Sequence, residues 1–401
     1  MNLKHTHRAN VYKAGILAAS LSKDSEGTVH FAYLPDYTGP DISFSLPQYT
    51  EDGKKSEPFT SYHGTVPTFF ANLLPEGYRF DALVHQLKTS KNDEFSVLCT
   101  VGSDTPGDVQ IISADADIVP APAALEEDPA KVSFHDLMGT IDERSIPGVQ
   151  DKVSALMKTL PVSWQTGEAL LKISPTRYPH LVENEYLHLK AAQKLKLPVA
   201  VNQLVHDING TAGLLISRFD RGSQGAHYAQ EDGAQLLNLA PSEKYAVSTE
   251  ELSDAVLHRV QAPALAARSL FTQFIFAWLT GNGDMHAKNI SILQSPLRGW
   301  ELSPIYDIPS TLIYGDETMA LDVNNKGGKN LRKTDWDAYA EHLNLTSKVR
   351  DSTYRKALQA ATSIVWNDSI FGDSHSFRSS DIRAVERELS SRRWALEKHL
   401  R

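Results

Sequence analysis

The 401-residue chain has almost no cysteine and no long apolar run. Its only cysteine is Cys99, so an intrachain disulfide is impossible and no cysteine cluster can hold a metal. No stretch approaches the roughly 18 to 20 apolar residues that a membrane helix needs. The first eight residues are polar, and the apolar stretch 16–21 is too short for a signal peptide. These absences predict a protein of the reducing cytoplasm with no membrane contact.

Positive charge is also scarce: 40 lysines and arginines stand against 49 aspartates and glutamates, which gives a net charge of −9. Such a balance argues against a large DNA-binding surface on this chain alone, although it leaves room for a local basic patch. The hydrophobic fraction of 41% is ordinary for a globular protein and excludes general disorder. The length predicts about two or three packed units.

The order of predicted elements separates a mixed first part from a later helical part. Strands are predicted where apolar and polar residues alternate or where short apolar runs occur, at 29–34, 42–46, 153–158, 169–173, 201–205 and 213–216. A helix is predicted at 182–195, and the pattern is mostly helical after Arg221. The last predicted helix, 381–400, has Asp381 as its N-cap.

This order predicts an α+β protein in which two lobes enclose a cleft. The stretch 114–129 is rich in Ala, Asp, Pro and Glu, which is typical of a linker. The predicted boundaries are a β-rich first domain at 1–113, a linker at 114–130, a small β-rich lobe at 131–221 and a helical lobe at 222–401.

The stretch 264–307 carries the densest set of chemical groups. An apolar helix is predicted to end at Gly281, followed by a polar loop up to Asn289, a short hairpin and then Asp307. Phosphoryl transfer needs an aspartate beside the attacking hydroxyl, and an asparagine and a second aspartate for Mg²⁺. Asp284 and Asn289 have the Asp-x-x-x-x-Asn spacing of a protein-kinase catalytic loop, and Asp307 follows where the metal-binding aspartate would lie. A solvated loop in which Asp284 caps a turn gives the same pattern.

A kinase also needs a lysine on a strand of its small lobe to hold the nucleotide phosphates. Lys172 is a lone lysine within the apolar run 169–173, and Glu183 and Glu185 on the next predicted helix are its candidate partners. Lys288 would add positive charge beside the γ-phosphate. These residues also have explanations without a function. Lys172 could protect an edge strand against aggregation, and Glu183 and Glu185 could be ordinary charges on a helix surface.

A glycine-containing turn at 145–152 precedes the first strand of the small lobe. Its backbone N–H groups are of the kind that bind phosphates. The segment is neither a Walker loop nor a G-x-G-x-x-G motif, so from its residues alone a surface turn is the better explanation.

Together these segments resemble the HipA family of toxin kinases over nearly the whole chain. The segments that carry the resemblance occur in the family's order, at 69–77, 145–152, 183–186, 217–221, 230–235, 244–245, 283–289 and 304–308. Such a series is specific in a way that one short motif is not. The resemblance implies a two-lobed, protein-kinase-like fold with a β-rich N-terminal subdomain, a small lobe and a mostly helical large lobe.

The resemblance also implies roles for individual residues. Asp284 would be the catalytic aspartate, Lys172 would hold the phosphates of ATP, and Asn289 and Asp307 would bind Mg²⁺. The remaining nucleotide-site residues would be Pro147, Gly148, Val149, Gln150, Asp151 and Lys152 of the phosphate loop, Ser217, Arg218 and Phe219 of the hinge, and His286, Lys288 and Tyr306. Ser145 would be an autophosphorylation site. Ser217 stands where the family often has glutamate, which could lower affinity for the adenine base or shift base preference.

The family implies a small helix-turn-helix antitoxin as partner, with DNA reached only through that antitoxin. Family substrates include aminoacyl-tRNA synthetases, whose phosphorylation arrests growth. Two other functions stay open from the sequence: a kinase-like corepressor that bridges DNA-bound antitoxins, and a small-molecule kinase. Retention of Lys172, Asp284, Asn289 and Asp307 favours the active kinase, because a pure scaffold has no physical need for all four.

Overall fold

The computed structural model describes residues 6–114, 128–138, 157–164, 167–328, 331–366, 371 and 377–400. The first part of the chain forms an antiparallel sheet of order β4-β3-β2-β1-β5 with three helices. Its strands are β1 (Arg8–Lys13), β2 (Ile16–Lys23), β3 (Val29–Tyr33), β4 (Phe59–Ser61) and β5 (Val109–Ser113). Its helices are α1 (Thr68–Ala71), α2 (Gly77–Leu87) and α3 (Glu94–Val101). One face of this sheet packs on the helices around Phe31, Phe70 and Phe95, each of which is fully buried.

The predicted strand at 42–46 is wrong. This segment forms turns, with one isolated bridge between Ser43 and Leu46. Side-chain hydrogen bonds compete with a strand ladder here, because the Ser45 N–H donates to the Ser43 hydroxyl at 3.1 Å. The Phe44 N–H donates to the Glu231 carboxylate at 2.9 Å, so it is not available to a neighbouring strand.

The small lobe is a second antiparallel sheet, of order β6-β7-β9-β8, with two helices packed on it. Its elements are α4 (Phe134–Met138), β6 (Lys158–Trp164), β7 (Gly167–Ile173), α5 (Leu181–Ala192), β8 (Asn202–His206) and β9 (Ala212–Ser217). The strand predicted at 153–158 lies outside the described residues up to 156, and the observed strand begins at Lys158. In β7, Lys172 pairs with Thr159 on one side and Leu214 on the other. It therefore lies on an inner strand, which excludes the edge-strand explanation of this lysine.

The large lobe is mostly helical and contains a small sheet of order β10-β11-β12. Its elements are β10 (Gln230–Asp232), α6 (Gly233–Leu236), α7 (Thr249–Leu257), α8 (Pro263–Thr280), β11 (Ser291–Ser295), β12 (Gly299–Leu302), α9 (Lys333–His342), α10 (Ser347–Thr362) and α11 (Ser379–Glu397). Every residue of α8 from Leu270 to Thr280 is buried. Such a helix is apolar all round because other helices surround it.

The predicted N-cap of the last helix is wrong. Helix α11 begins at Ser379 with Arg378 as its N-cap, and Asp381 lies in the first turn. An acidic side chain in the first turn interacts favourably with the helix dipole. Asp381 therefore signals a helix start, although it lies three residues after the observed N-cap. Among the described residues, no helix combines the length and apolar character required to cross a bilayer.

Candidate functional site

The polar loop that follows α8 is fixed at its first residue. Gly281 ends the helix with φ of 70°, a left-handed conformation that favours glycine. A Cβ at this position would lie 2.8 Å from the Cβ of Leu312, so a side chain does not fit. The Thr311 N–H donates to the Gly281 carbonyl at 2.9 Å. The start of the loop is therefore tied to the segment that follows Asp307.

Asp284 is buried within this loop and is held on two sides. Its backbone N–H donates to the Asn282 side-chain oxygen at 2.9 Å, and its carboxylate accepts a hydrogen bond from the Tyr245 hydroxyl at 2.6 Å. Burial and the nearby Asp284 carboxylate raise the pKa of Tyr245, so this phenol stays protonated and acts as a donor. The aspartate is thus oriented before any substrate arrives.

Asn289 closes the loop back onto Asp284. The Asn289 side-chain N–H donates to the Asp284 carbonyl at 2.8 Å, which is the structural reason for the Asp-x-x-x-x-Asn spacing. Its amide oxygen has no donor among the described residues. His286 lies between them in sequence, and burial together with Lys244 lowers its pKa to about 3, so the ring is neutral. Its Nδ1 is buried without a hydrogen-bond partner in the described part of the chain.

Asp307 meets the small lobe through Lys172. The Lys172 ammonium donates to Asp307 Oδ1 at 2.9 Å and to both carboxylate oxygens of Glu185, each also at 2.9 Å. Burial alone would lower the pKa of Lys172, but the two carboxylates raise it above its ordinary value. Of the two candidate partners on α5, Glu185 is the one bound, whereas Glu183 pairs with His180.

Asp307 adopts φ of 52°, an uncommon backbone conformation for a residue with a side chain. Burial would raise its pKa, but the Lys172 charge lowers it, so the carboxylate is ionised. Next to it, the Tyr306 hydroxyl donates to the Lys288 carbonyl at 2.8 Å. The Tyr306 ring centroid lies 5.4 Å from that of Phe219, which brings the predicted hinge and the predicted metal-binding segment together.

A carboxylate from the first part of the chain also reaches this cluster. Glu76 forms ion pairs with Lys288, at 2.8 Å, and with Lys244. Burial would raise the pKa of Glu76, but the two lysines lower it to about 2, so it is ionised. The charges of Asp284, Glu76 and Asp307 all raise the pKa of Tyr245.

No functional role was predicted from the sequence for Glu76, Lys244 or Tyr245, although all three lie in segments that resemble the family. Lys288, predicted to line the nucleotide site, is here paired with Glu76 and donates to the Asn72 carbonyl at 3.0 Å.

Two of the predicted hinge residues, Ser217 and Arg218, make different contacts. The Ser217 N–H donates to the Val201 carbonyl at 2.8 Å and thereby continues the sheet. The Arg218 side chain pairs with Asp104 and, at 3.1 Å, with Asp220. It therefore joins the predicted hinge to the first part of the chain. Its role in nucleotide binding stays a prediction.

The predicted phosphate loop lies outside the described residues. This applies to Ser145, Pro147, Gly148, Val149, Gln150, Asp151 and Lys152. Their roles, like those of the other predicted site residues, stay predictions.

The ligand set of Asp307 and Asn289 fits Mg²⁺. An ionised carboxylate and an amide oxygen are hard oxygen donors, and Mg²⁺ in kinases is bound by one or two such groups together with phosphates and water. No group of three or more His, Cys, Asp or Glu side chains among the described residues is arranged to hold a metal. The chain's own ligands would therefore be completed by oxygens of a nucleotide.

The lobe arrangement and the Lys172–Glu185–Asp307 cluster define a protein-kinase-like fold. The chain belongs to the HipA family: residues 144–365 match the HipA-like C-terminal domain, and residues 9–112 match the HipA N-terminal domain.

Individual relatives agree with this assignment. The Sinorhizobium fredii protein Y4dM is 30% identical over 353 residues, which cover 82% of this chain and 83% of that protein. The serine/threonine-protein kinase toxin HipA of Shewanella oneidensis is 27% identical over 323 residues, covering 69% and 73%. A structure of Shewanella oneidensis HipA with HipB and its operator DNA matches with a TM-score of 0.73 at 21% identity, covering 97% of both chains. That likeness extends the shared fold over the whole chain.

Proposed function

We propose that this protein is an ATP- and Mg²⁺-dependent serine/threonine protein kinase and the toxin of a toxin–antitoxin pair. The proposal rests on two sets of groups, the loop from Asp284 to Asn289 and the Lys172–Glu185–Asp307 cluster. The hydrogen bond from the Tyr306 hydroxyl to the Lys288 carbonyl, 2.8 Å long, joins the two segments. The first set supplies an aspartate for the acceptor hydroxyl. The second set supplies a lysine for the nucleotide phosphates and a carboxylate for the Mg²⁺ that neutralises them.

In the proposed reaction, the acceptor hydroxyl oxygen forms a bond to the γ-phosphorus of ATP. The bond from that phosphorus to the β–γ bridging oxygen breaks, and ADP leaves. Asp284 orients the hydroxyl and accepts its proton, while the Tyr245 hydroxyl holds the carboxylate in place. A bound Mg²⁺ would neutralise charge on the phosphate oxygens. Lys172, kept charged by Glu185, would contact the α- and β-phosphates.

Ser145 completes the proposal as a self-inactivating phosphorylation site. A phosphate there adds about −1.5 to −2 charges at neutral pH. Within the loop 145–152, that charge would compete with ATP for the backbone donors from Gly148 to Lys152 and repel the ATP phosphates. Phosphorylation of Ser145 is therefore expected to prevent nucleotide binding.

The proposed partner is a helix-turn-helix antitoxin, and DNA would be contacted through it. The complex of Shewanella oneidensis HipA with HipB and operator DNA supports this partner, and the net charge of −9 suits a chain that leaves DNA binding to another protein. The same complex favours a second function, corepression by bridging DNA-bound antitoxins, which is compatible with kinase activity. The proposed substrate is a translation protein such as an aminoacyl-tRNA synthetase.

Transfer of labelled phosphate from ATP to total cell protein tests the proposal. The wild-type chain should label one or a few proteins, and Asp284→Ala should label none while it still folds and binds ATP. Loss of the positioned base is expected to lower the transfer rate by about 100- to 10,000-fold. Labelling of small molecules alone would indicate a small-molecule kinase, and no labelling at all would leave only the corepressor. Near-normal transfer by Asp284→Ala would contradict the assigned role of Asp284.

A further inference from the structure

Helix α5 is joined to the Asp307 segment by a second contact beside the ion pair of Glu185. The Asn184 side-chain N–H donates to the Ser310 carbonyl at 2.8 Å, and the Ser310 N–H donates to the Asn184 side-chain oxygen at 3.0 Å. One side chain thus satisfies both backbone groups of one residue, as a neighbouring strand would. Asn184 is fully buried, so water does not compete for these two bonds.

Ser310 is also tied to the start of the catalytic loop. Its hydroxyl donates to the Gly281 carbonyl at 3.1 Å. The next residue, Thr311, accepts a hydrogen bond from the Gly283 N–H at 2.8 Å. The Asn184–Ser310 pair therefore connects three parts of the site: the helix that carries Glu185, the segment that carries Asp307, and the loop that carries Asp284.

The segment that Asn184 holds has little regular structure of its own. Residues 306–310 belong to no helix or strand, and Asp307 within them has a left-handed backbone. Such a conformation persists only when surrounding contacts impose it. Asn184 supplies such a contact three residues after Asp307, and Glu185 supplies another through Lys172. Adjacent residues of α5 thus hold both the side chain and the downstream backbone of the proposed metal ligand.

We propose that Asn184 is a positioning residue for the Mg²⁺ site, which locks α5 and the Asp307 segment into one unit. The inference rests on the proposed kinase function, and it adds a residue to which the sequence analysis gave no role. Partners that orient metal ligands without touching the metal commonly change metal affinity by about 10- to 100-fold when they are removed. A change of that kind is expected here, because loss of the clamp releases the backbone next to Asp307.

The test compares Asn184→Ala with Leu189→Ala. Leu189 is a fully buried residue of the same helix and packs into the hydrophobic core that includes α8. Both variants lose buried contacts of α5, but only the first loses the bonds to Ser310. Asn184→Leu is the second variant, since it keeps a similar side-chain shape but can make neither hydrogen bond to Ser310. It replaces Asn184→Ala if that protein does not unfold cooperatively.

Two quantities are measured. The first is hydrogen–deuterium exchange of the Ser310 amide in the metal-free, nucleotide-free chain, which should become faster in the Asn184 variants and not in Leu189→Ala. The second is the free Mg²⁺ concentration for half-maximal phosphate transfer at saturating ATP. It should rise by about 10-fold in the Asn184 variants, with a smaller change in the maximal rate.

The outcomes separate this inference from the proposed function. Faster Ser310 exchange with a higher Mg²⁺ requirement supports the positioning role. Unchanged exchange, or a Mg²⁺ requirement equal to that of Leu189→Ala, overturns it while wild-type transfer leaves the kinase assignment intact. A wild-type chain that transfers no phosphate overturns the kinase function and the Mg²⁺ role of Asn184 with it.

Discussion

Replacement of Glu185 by glutamine tests whether the buried lysine is held for phosphate binding. Lys172 Nζ lies 2.9 Å from both carboxylate oxygens of Glu185 and from Asp307 Oδ1. Glutamine keeps the shape and one acceptor oxygen but removes the negative charge. Of the two carboxylates, only Asp307 then remains to pair with Lys172, and α5 no longer supplies a charged partner.

The expected cost follows from the distance. At an effective dielectric constant of about 20, opposite charges separated by 2.9 Å attract by roughly 6 kcal/mol. Removal of the Glu185 charge also removes its desolvation penalty, which is several kcal/mol for a buried ion. The net loss in the free energy of unfolding is therefore expected to be about 2–3 kcal/mol. A similar loss of transition-state binding lowers kcat/KM by about 100-fold, since 1.36 kcal/mol corresponds to a factor of ten.

Glu183→Gln is the matched control, because Glu183 lies on the same helix and pairs with His180 instead of Lys172. Urea unfolding gives the stability of each variant, and initial rates with labelled ATP give kcat/KM. We expect the control to keep a kcat/KM close to that of the wild type, because the partner of Glu183 is His180 and the Lys172–Glu185–Asp307 cluster is left intact. If Glu185→Gln were as active as Glu183→Gln, the assignment of Lys172 and Glu185 to phosphate binding would be refuted.

Three further results are expected. Calorimetry of the nucleotide-free chain should show weak Mg²⁺ binding that tightens with ATP and is lost in Asp307→Asn; tight binding without nucleotide would contradict a site completed by phosphates. Incubation with ATP and Mg²⁺ should place phosphate on Ser145 in the wild type and not in Asp284→Ala, and the phosphorylated protein should bind ATP poorly. Burial raises the pKa of Glu231 to about 7 from its ordinary 4.5. Between pH 4.5 and 7 the folded state keeps a proton on Glu231 that the unfolded state has released. The free energy of unfolding therefore falls as pH rises over this range, by up to about 3 kcal/mol. Glu231→Gln should remove this pH dependence of urea unfolding, and an unchanged dependence would exclude Glu231 as its source.

Local signals predicted the parts of the site that are close together in sequence. Gly281 was predicted as a left-handed cap from its place after an apolar helix, and the structure confirms φ of 70°. The hairpin before Asp307 was predicted from its turn residues, and β11 and β12 confirm it. Each of these features depends on neighbours within a few residues, which is the range over which sequence patterns determine backbone conformation.

Contacts between distant residues left no such signal. The Tyr245–Asp284 hydrogen bond joins residues 39 apart, and the Asn184–Ser310 pair joins residues 126 apart. The sequence also could not choose between Glu183 and Glu185, because both lie on one helix and their difference arises from how α5 packs on β7. The ion pair between Arg218 and Asp104 joins residues 114 apart and likewise left no signal in the sequence.

The first part of the chain contributes charges that the kinase lobes need when folded. Glu76 neutralises Lys244 and Lys288 beside the loop 282–289, and Asp104 pairs with Arg218 of the predicted hinge. Without Glu76, the charges of Lys244 and Lys288 would repel each other or lie buried without this compensation, which is costly. The Phe44 N–H likewise satisfies one oxygen of the buried Glu231. These contacts are spread over three separate segments of the first part. The N-terminal subdomain and the lobes therefore form one electrostatically interdependent structure, in which the charge beside Asp284 is set partly from outside the kinase fold.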